Sequence, residues 1–294
     1  MILAKIKLKI LQIDELFFKG YIKAFHSRYF AYRGKAYVLT KDLYFPPHTS
    51  SNKSVRLGPE GELLAIGGDL TPERMVYAFK NGIYQISFKD QPILWWTSEI
   101  HCVLFLENIH ISNDVQKFIK KENFRLTVDK AYYDVVRACS ESRNSWLTPE
   151  RMTSSFELHE LGFTHSVEVW QGEKLVGGLF GIALGSSFYG ESMFARVKNS
   201  SKVAFTALCI RLKEMNYLIC DCGIWPTDHL KSFGADIIPR DEFLGILDQS
   251  VKTPNIDKDW ENLFEDWDFK SAIKNYVSLA QKNKEVSPIG SGKA

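Results

Sequence analysis

The stretch THSVEVWQGEKLVGGLFGIALGSSFYGESMF, residues 164–194, decides the fold. In it, HSVEVW alternates with period two, Gly172 marks a turn into KLVGGLFGIAL, and Gly185 marks a turn into SFYGESMF. This pattern predicts three strands in an antiparallel meander. The next segment, NSSKVAFTALCIRLKEMN, is typical of an amphipathic helix capped at Ser200 or Ser201, and YLICDC of a short buried strand. With the helical RDEFLGIL after them, these segments predict an α+β fold.

The preceding residues predict a smaller unit. GGDLTPERMVYAFKNG indicates a helix with Thr71 as N-cap, Pro72 in its first turn and Gly82 after its end. Another Thr-capped helix is predicted by TPERMTSSFELHELG, and two more helices are predicted in residues 112–123 and 129–140. Strands are predicted by AKIKLKILQI, FRLTV and QPILWWTSEIHCVLFL. We expect a small N-terminal α/β domain with a basic extension in residues 1–98. A larger domain in residues 99–250 and a partly disordered C-terminal extension in residues 251–294 follow it.

Composition indicates a globular protein. The 294 residues are 45% hydrophobic, enough for the core of one large or two modest domains. No run approaches the roughly 18 apolar residues of a membrane-spanning helix, and the N-terminus has no signal-peptide pattern, so we expect a cytoplasmic protein with no membrane partner. The five cysteines are odd in number and irregularly spaced, which favours reduced thiols.

The net charge of +2 conceals an asymmetry along the chain. Residues 1–56 contain eleven Lys or Arg and three acids, which gives +8 there and leaves −6 for the remainder. The basic end is a candidate surface for a polyanion. A solvated basic face of a small domain is the alternative interpretation.

Missing motifs exclude several kinds of site. No glycine-rich loop is followed by Lys and Ser or Thr, so the sequence gives no support for ATP or GTP use. The CDC string leaves one residue between its thiols and has no second ligand pair, so we expect no metal site. GESMF does not match the nucleophile elbow of serine hydrolases.

Two acids in apolar sequence are the candidate catalytic residues. Glu191 and Asp221 lie on strands predicted to be neighbours, with aromatic and aliphatic residues around each. Burial raises the pKa of a carboxyl group and a nearby donor or cation lowers it, so such a pair suits proton transfer or amine binding. A structural role is the alternative, with either acid tied to Arg196 or to backbone amides.

Several longer strings resemble one known family, the leucyl/phenylalanyl-tRNA–protein transferases, which are the aminoacyltransferases of the N-end rule pathway. The strings have that family's order and spacing and cover about residues 60–247. They are LLAIGGDLTPERMVYAFKNGI, PILWW, WLTPERM, LHELGFTHSVEVWQGEKLVGGLFGIALGSSFYGESMFARVKNSSKVAF, DC and SFGADIIPRDEFLGIL.

The resemblance implies a GNAT-like acyltransferase domain behind the small N-terminal domain. It also implies transfer of Leu, Phe or sometimes Met from the 3′ end of an aminoacyl-tRNA to the N-terminal Arg or Lys of a protein, which marks that protein for degradation. The partners would be charged tRNA and acceptor proteins with an exposed N-terminus. Because the amino acid arrives as an activated ester, the resemblance implies no cofactor.

The family's site residues map onto this chain by position. Asp221 matches its catalytic aspartate, and Glu191 matches a site glutamate that would hold the cationic acceptor. Trp146 matches a tryptophan near the tRNA 3′ end. The aminoacyl pocket maps onto apolar or soft residues, namely Leu179, Phe188, Leu208, Leu212 and Cys220.

Three positions depart from the family pattern. Gly223 stands where the family has a Gln thought to join the proton relay of the amine, and Ile86 replaces the Trp of GIFPWY or GIFPWF. His101 replaces the Arg of WWSPDPR. We therefore expect altered acceptor or donor preference, or reduced activity.

Two other interpretations stay open. A GNAT acyltransferase that uses acyl-CoA would need a glycine-containing pyrophosphate loop, which FARVKNSSKVA does not provide. A non-catalytic or degenerate tRNA-binding homologue is the other. We expect a monomer, because no heptad or apolar edge demands a partner.

Overall fold

The structure is a computed structural model that describes residues 37–141, 145–253 and 260–286. The predicted strand AKIKLKILQI and most of the basic N-terminal end fall outside the described residues. So do residues 287–294, the last part of the 251–294 extension that was predicted to be partly disordered.

The predicted meander forms the centre of the larger sheet. Its strands are β8 (Thr164–Gln171), β9 (Lys174–Leu184) and β10 (Ser187–Ala195), and both pairings are antiparallel. The connecting turn at Gly185 has φ of +57°, which favours glycine, and a Cβ there would lie 2.0 Å from the backbone oxygen of Ser250. These strands confirm the sequence prediction. They could be predicted because period-two patterning and glycine turns act locally.

Within the described part of the chain, seven strands make up the larger sheet, in the order β12-β6-β11-β10-β9-β8-β7. The four outside the meander are β6 (Ile100–Phe105), β7 (Arg125–Val128), β11 (Ile219–Asp221) and β12 (Asp236–Pro239). Strands β10 and β11 pair in parallel, whereas the other described neighbours are antiparallel. The parallel pairing is short, because it joins residues 187–189 to residues 219–221 and ends there.

Helices cover both faces of this sheet. On one face, α5 (Ser200–Glu214) packs on Leu179 and Phe188 together with α2 (Asn113–Lys121). On the other lie α3 (Tyr132–Ser140) and α4 (Pro149–Glu160). The α5 cap was predicted one or two residues too late: Asn199, with φ of +64°, occupies the N-cap.

The smaller sheet is formed before residue 99. It contains β1 (Tyr37–Leu39), β2 (Asn52–Leu57), β3 (Gly61–Gly67), β4 (Tyr84–Gln85) and β5 (Leu94–Ser98). Helix α1 (Pro72–Lys80) follows β3 and has Thr71 as N-cap, as predicted. The core beneath this sheet also takes in Leu158, Ile182 and Ile224 from the rest of the chain, so the two sheets share buried contacts.

The C-terminal part packs against the larger sheet. It contains α6 (Asp228–Lys231), α7 (Arg240–Lys252), a 3-10 turn (Trp260–Asn262) and α8 (Phe269–Val286). The ring of Trp260 stacks on His165 at 4.0 Å between centroids, and Leu263 and Ile273 are buried in the α5 core. Among the described helices, none is long and apolar enough to cross a membrane.

Candidate active site

A cleft opens where β10 and β11 part. Beyond residue 189, β10 continues to Ala195, while the chain after Asp221 turns towards β6 through the backbone bond from Cys222 N–H to the Cys102 oxygen. A cavity of about 240 Å³ lies there. Its lining comes from β9, β10, α5, the loop after β11 and α6. It comprises Leu179, Phe188, Gly190, Glu191, Ser192, Met193, Phe205, Cys222, Trp225, Thr227, His229 and Leu230.

Asp221 ends β11 immediately before the cavity-lining Cys222. Its carboxylate accepts a hydrogen bond from the Tyr84 hydroxyl at 2.8 Å, on Oδ2, and one from the Gly223 backbone N–H at 2.8 Å, on Oδ1. Burial raises the pKa of Asp221 from 3.8 to about 7, although both donors oppose that shift. The group is therefore poised to exchange a proton near neutral pH.

Glu191 lines the cavity and pairs with a cation from α4. Arg151 Nη2 lies 2.5 Å from Glu191 Oε2, and both side chains are buried. Desolvation raises the pKa of Glu191, while Arg151 opposes the change. The partner is therefore Arg151 and not Arg196, which pairs with Glu141 at the surface. Glu191 Oε1 is buried without a hydrogen-bond partner among the described residues.

Both acids face the side of the sheet covered by α4 and the smaller sheet. Asp221 bonds to Tyr84 of β4 and Glu191 to Arg151 of α4. Tyr189 pairs in register with Asp221 and precedes Glu191 by two residues on β10; burial raises the pKa of its hydroxyl group, and negative charge on either acid raises it further. The structure thus brings the two predicted acids together.

Trp146 joins the same cluster through Arg151. The guanidinium carbon of Arg151 lies 5.6 Å from the centre of the Trp146 ring, a cation–π contact. Sequence reasoning missed Arg151. The signal was the spacing of the buried face of α4, where Arg151, Ser154, Ser155 and Leu158 stand at positions i, i+3, i+4 and i+7.

The comparisons with known proteins settle the family. The family model described as leucyl/phenylalanyl-tRNA protein transferase matches residues 103–248. The leucyl/phenylalanyl-tRNA–protein transferase of Saccharophagus degradans is 42% identical over 216 residues, which cover 72% of this chain and 86% of that protein. The protein of that name from Flavobacterium johnsoniae is 43% identical over 216 residues, 72% of this chain and 98% of its own.

This chain belongs to the leucyl/phenylalanyl-tRNA–protein transferase family. The resemblance predicted from the sequence is thereby confirmed, and with it the assignment to a family of aminoacyltransferases. A solved structure, that of L-PGS from Bacillus licheniformis, covers 53% of this chain and 51% of its own with a TM-score of 0.33 and 11% identity. That likeness is too low to support any conclusion about the fold.

The pocket residues transferred from the transferase family fall into two groups. Leu179 and Phe188 line the cavity. Leu208, Leu212 and Cys220 do not line it, because they are fully buried in the α5 core beneath it. These three residues pack behind the residues that line the cavity. Three lining residues, Phe205, Met193 and Trp225, were not among the pocket residues expected from the family resemblance.

The three departures from the family pattern occupy different surroundings. Gly223 has φ of +82°, a conformation that penalises any other residue, and a Cβ there would lie 3.6 Å from the Tyr189 ring. Ile86 is buried in the core of the smaller sheet, where its backbone oxygen accepts from Trp96 Nε1 at 2.7 Å. His101 lies beside Tyr84, with Nδ1 3.0 Å from the hydroxyl oxygen.

A second cavity, of about 370 Å³, lies between α2, β7 and the C-terminal residues 264–270. None of its lining residues is one of the predicted site residues, so the smaller cavity at Glu191 is the candidate active site. Within residues 37–141, 145–253 and 260–286, no cluster of three or more His, Cys, Asp or Glu could hold a metal ion.

Proposed function

We propose that this chain transfers a leucyl or phenylalanyl group, or a methionyl group, from the 3′ end of an aminoacyl-tRNA to the α-amine of a protein's N-terminal residue. The transfer takes place in the cleft between β10 and β11. The observation that carries this proposal is the cavity lined both by Glu191 and by Cys222, the residue that follows Asp221 in the chain. Family membership supplies the reaction class.

The proposed chemistry needs a base for the incoming amine. An N-terminal ammonium has a pKa of about 8, and Asp221, with a pKa of about 7, can accept its proton at a cost of only about 1.4 kcal/mol. The amine nitrogen then bonds to the ester carbonyl carbon as the carbon–oxygen bond to ribose breaks. The proton lost by the amine on attack ends on the ribose oxygen, which leaves as a hydroxyl group.

Glu191 is proposed to bind the acceptor's ammonium group. Arg151 already neutralises one carboxylate oxygen, but Oε1 has no described partner and the residue lines the cavity. A buried acceptor atom without a partner is costly, so an N–H donor from the substrate would satisfy it. Trp146, next to Arg151, is the proposed contact for the tRNA 3′ end.

The cavity is proposed to hold the amino-acid side chain. Its volume of about 240 Å³ is about that of eight water molecules at liquid density. The apolar walls from Leu179, Phe188 and Phe205 suit an aliphatic or aromatic group. Because a methyl difference contributes only about 1–3 kcal/mol, a β-branched amino acid would have to be excluded by shape.

Several finer expectations belong to the same proposal. The larger sheet with its helices would be a GNAT-like acyltransferase domain, the strands before residue 99 a separate N-terminal domain, and the enzyme a cytoplasmic monomer of the N-end rule pathway. Support for the GNAT-like comparison comes from the parting of the parallel pair β10 and β11 beside the site. The acceptor would be an N-terminal Arg or Lys, or a different residue, because Gly223, Ile86 and His101 depart from the family pattern.

The test measures transfer of labelled Leu or Phe from charged tRNA to peptides that begin with Arg, Lys, Asp or Glu. We expect transfer to at least one peptide. Leu179→Trp should fill the cavity and reduce transfer of Phe more than of Leu, whereas Leu218→Trp, at a site that is 44% exposed, should change neither.

Other outcomes would contradict the proposal. Binding of tRNA without transfer to any peptide would favour a non-catalytic homologue. Acyl transfer from acyl-CoA in the absence of tRNA would favour the acyl-CoA enzyme. Equal effects of Leu179→Trp and Leu218→Trp would place the amino acid somewhere else.

A further inference from the structure

A buried chain of hydrogen bonds reaches Asp221 from β6 through β4. His101 Nδ1 lies 3.0 Å from the Tyr84 hydroxyl oxygen, and that hydroxyl lies 2.8 Å from Asp221 Oδ2. All three side chains are at most 5% exposed. His101 is 17 residues from Tyr84 and Asp221 is 137, so only the folded chain brings them together.

The positions of the protons follow from the single hydrogen on the phenol. An ionised carboxylate can only accept, so the Tyr84 hydroxyl donates to Asp221. The phenol oxygen is then free to accept, and His101 must donate from Nδ1. A second proton on the buried Nε2 would be a donor without an acceptor in the described part of the chain, so the imidazole is neutral, with its proton on Nδ1. This tautomer agrees with the absence of any hydrogen-bond partner for the buried Nε2 among the described residues.

We propose that Tyr84 and His101 are positioning residues for Asp221: the imidazole N–H holds the Tyr84 hydroxyl, and the hydroxyl holds the carboxylate ionised and oriented towards the amine. The proposal rests on the function proposed above, in which Asp221 receives the amine's proton. It adds two residues that need not touch either substrate. Neither the sequence patterns nor the comparisons assign them a role.

The carboxylate of Asp221, which lies beside the cavity-lining Cys222 without lining the cavity itself, keeps hydrogen-bonding capacity for the substrate. Tyr84 occupies one lone pair of Oδ2 and the Gly223 N–H one lone pair of Oδ1. Each oxygen retains a second lone pair, so an amine can donate to the carboxylate without displacing either bond. The Phe243 ring stacks on the His101 imidazole, with 4.0 Å between centroids and 11° between planes. This stacking prevents the imidazole from turning away from Tyr84.

Other titratable groups face this chain. Tyr189 and Cys222 lie beside Tyr84 and Asp221. Burial raises the pKa of the Tyr84 hydroxyl well above its usual value, and negative charge on Asp221, Tyr189 or Cys222 raises it further. Burial lowers the pKa of the His101 imidazole to about 3, and the neighbouring His48 and Arg240 act in the same direction. Positive charge near His101 therefore disfavours an imidazolium, which keeps the donor neutral across physiological pH.

The experiment measures single-turnover transfer by the full chain from pH 5 to pH 9. Tyr84→Phe keeps the ring and removes only the hydroxyl donor, so the acidic limb of the pH–rate profile should move up by about one pH unit. Because a pKa that rises from about 7 to about 8 lowers the ionised fraction at pH 7 from about one half to about one eleventh, the rate at pH 7 should fall about fivefold, and KM for the peptide should change little. Tyr276→Phe is the control, because that hydroxyl donates to the backbone oxygens of Glu107 and Ile109 and should leave the limb in place.

A pair of variants at position 101 separates positioning from folding. The side-chain amide of His101→Asn can donate from about the place of Nδ1 and should restore most of the rate that His101→Leu loses. ¹⁵N NMR of the unmodified chain, with the His101 signal assigned from the Asn variant, should show a ring protonated on Nδ1 that does not titrate between pH 5 and pH 9.

The outcomes distinguish this inference from the proposed function. If Asp221→Asn is inactive but Tyr84→Phe keeps the parent pH profile, or if Asn and Leu at position 101 are equally impaired, the positioning role is overturned and the function stands. A ring protonated on Nε2 or titrating near pH 7 would also overturn it. If Asp221→Asn transfers at the parent rate, the proposed role of Asp221 fails instead.

Discussion

Replacing Asp221 with Asn should make the protein more stable and less active. A carboxyl group whose pKa is 3.8 when unfolded and about 7 when folded binds more protons in the folded state between those pH values. The free energy of unfolding of the parent protein therefore falls as pH rises from about 4 to 7. At about 1.4 kcal/mol per pH unit, this one group costs about 4 kcal/mol at pH 8 and about 1.5 kcal/mol at pH 5.

An amide of the same shape removes that cost. The Asn oxygen can still accept from the Gly223 N–H, and its NH₂ can donate to the Tyr84 oxygen. The Tyr84 hydroxyl then donates to His101 Nδ1, which requires the imidazole to carry its proton on Nε2 in the variant. We expect Asp221→Asn to raise the free energy of unfolding by about 1 kcal/mol at pH 5 and about 3 kcal/mol at pH 8, while transfer activity is lost.

Urea unfolding at pH 5 and pH 8, with the transition midpoint and slope of each variant, provides the measurement. The control is Asp248→Asn, because Asp248 is exposed and pairs with Lys252 on the surface of α7, where such pairs contribute less than about 1 kcal/mol. A gain in stability that is equal at the two pH values, or a loss of stability at pH 8, would refute the reasoning about Asp221.

Two further predictions follow from the site. Arg151→Met and Glu191→Gln should each lower the free energy of unfolding by about 3 kcal/mol or more, because each leaves a buried polar partner uncompensated. The double variant should lose clearly less than the sum of the two single losses. Additive losses in a double-mutant cycle measured by urea unfolding would show that the pair is not coupled. Gly223→Ala and Gly223→Gln should both cost about 1–2 kcal/mol, because φ is +82° while an added Cβ would make only ordinary van der Waals contact with the Tyr189 ring, at 3.6 Å. The matched control is Gly190→Ala, whose Cβ would lie 3.9 Å from the backbone oxygen of Asp221 and which should change the free energy of unfolding by less than about 1 kcal/mol. Equal losses of stability at both glycines would contradict the argument from the backbone conformation of Gly223.

The local features of the fold could be predicted from the sequence. The three strands of residues 164–194 and the helices that begin at Pro72 and Pro149 depend on period, turn glycines and capping residues, which act over a few positions. The proximity of Glu191 and Asp221 was also predictable, because their strands follow each other with one helix between them.

The partners of the two acids could not be predicted in the same way. Arg151 reaches Glu191 across 40 residues and Tyr84 reaches Asp221 across 137, and no local pattern encodes such pairings. Arg151 at least carried a signal in the spacing of the buried face of α4. Tyr84 carried only the general requirement that a buried hydroxyl group find a partner.

The position of Trp260 has a practical consequence for anyone shortening the chain. The family match ends at residue 248, which makes that point a tempting place to cut. Truncation there would remove Trp260, whose ring stacks on His165, and Leu263 and Ile273, which are buried in the core that packs on α5. The truncated protein would expose a contiguous apolar surface to water, so we expect it to aggregate during expression.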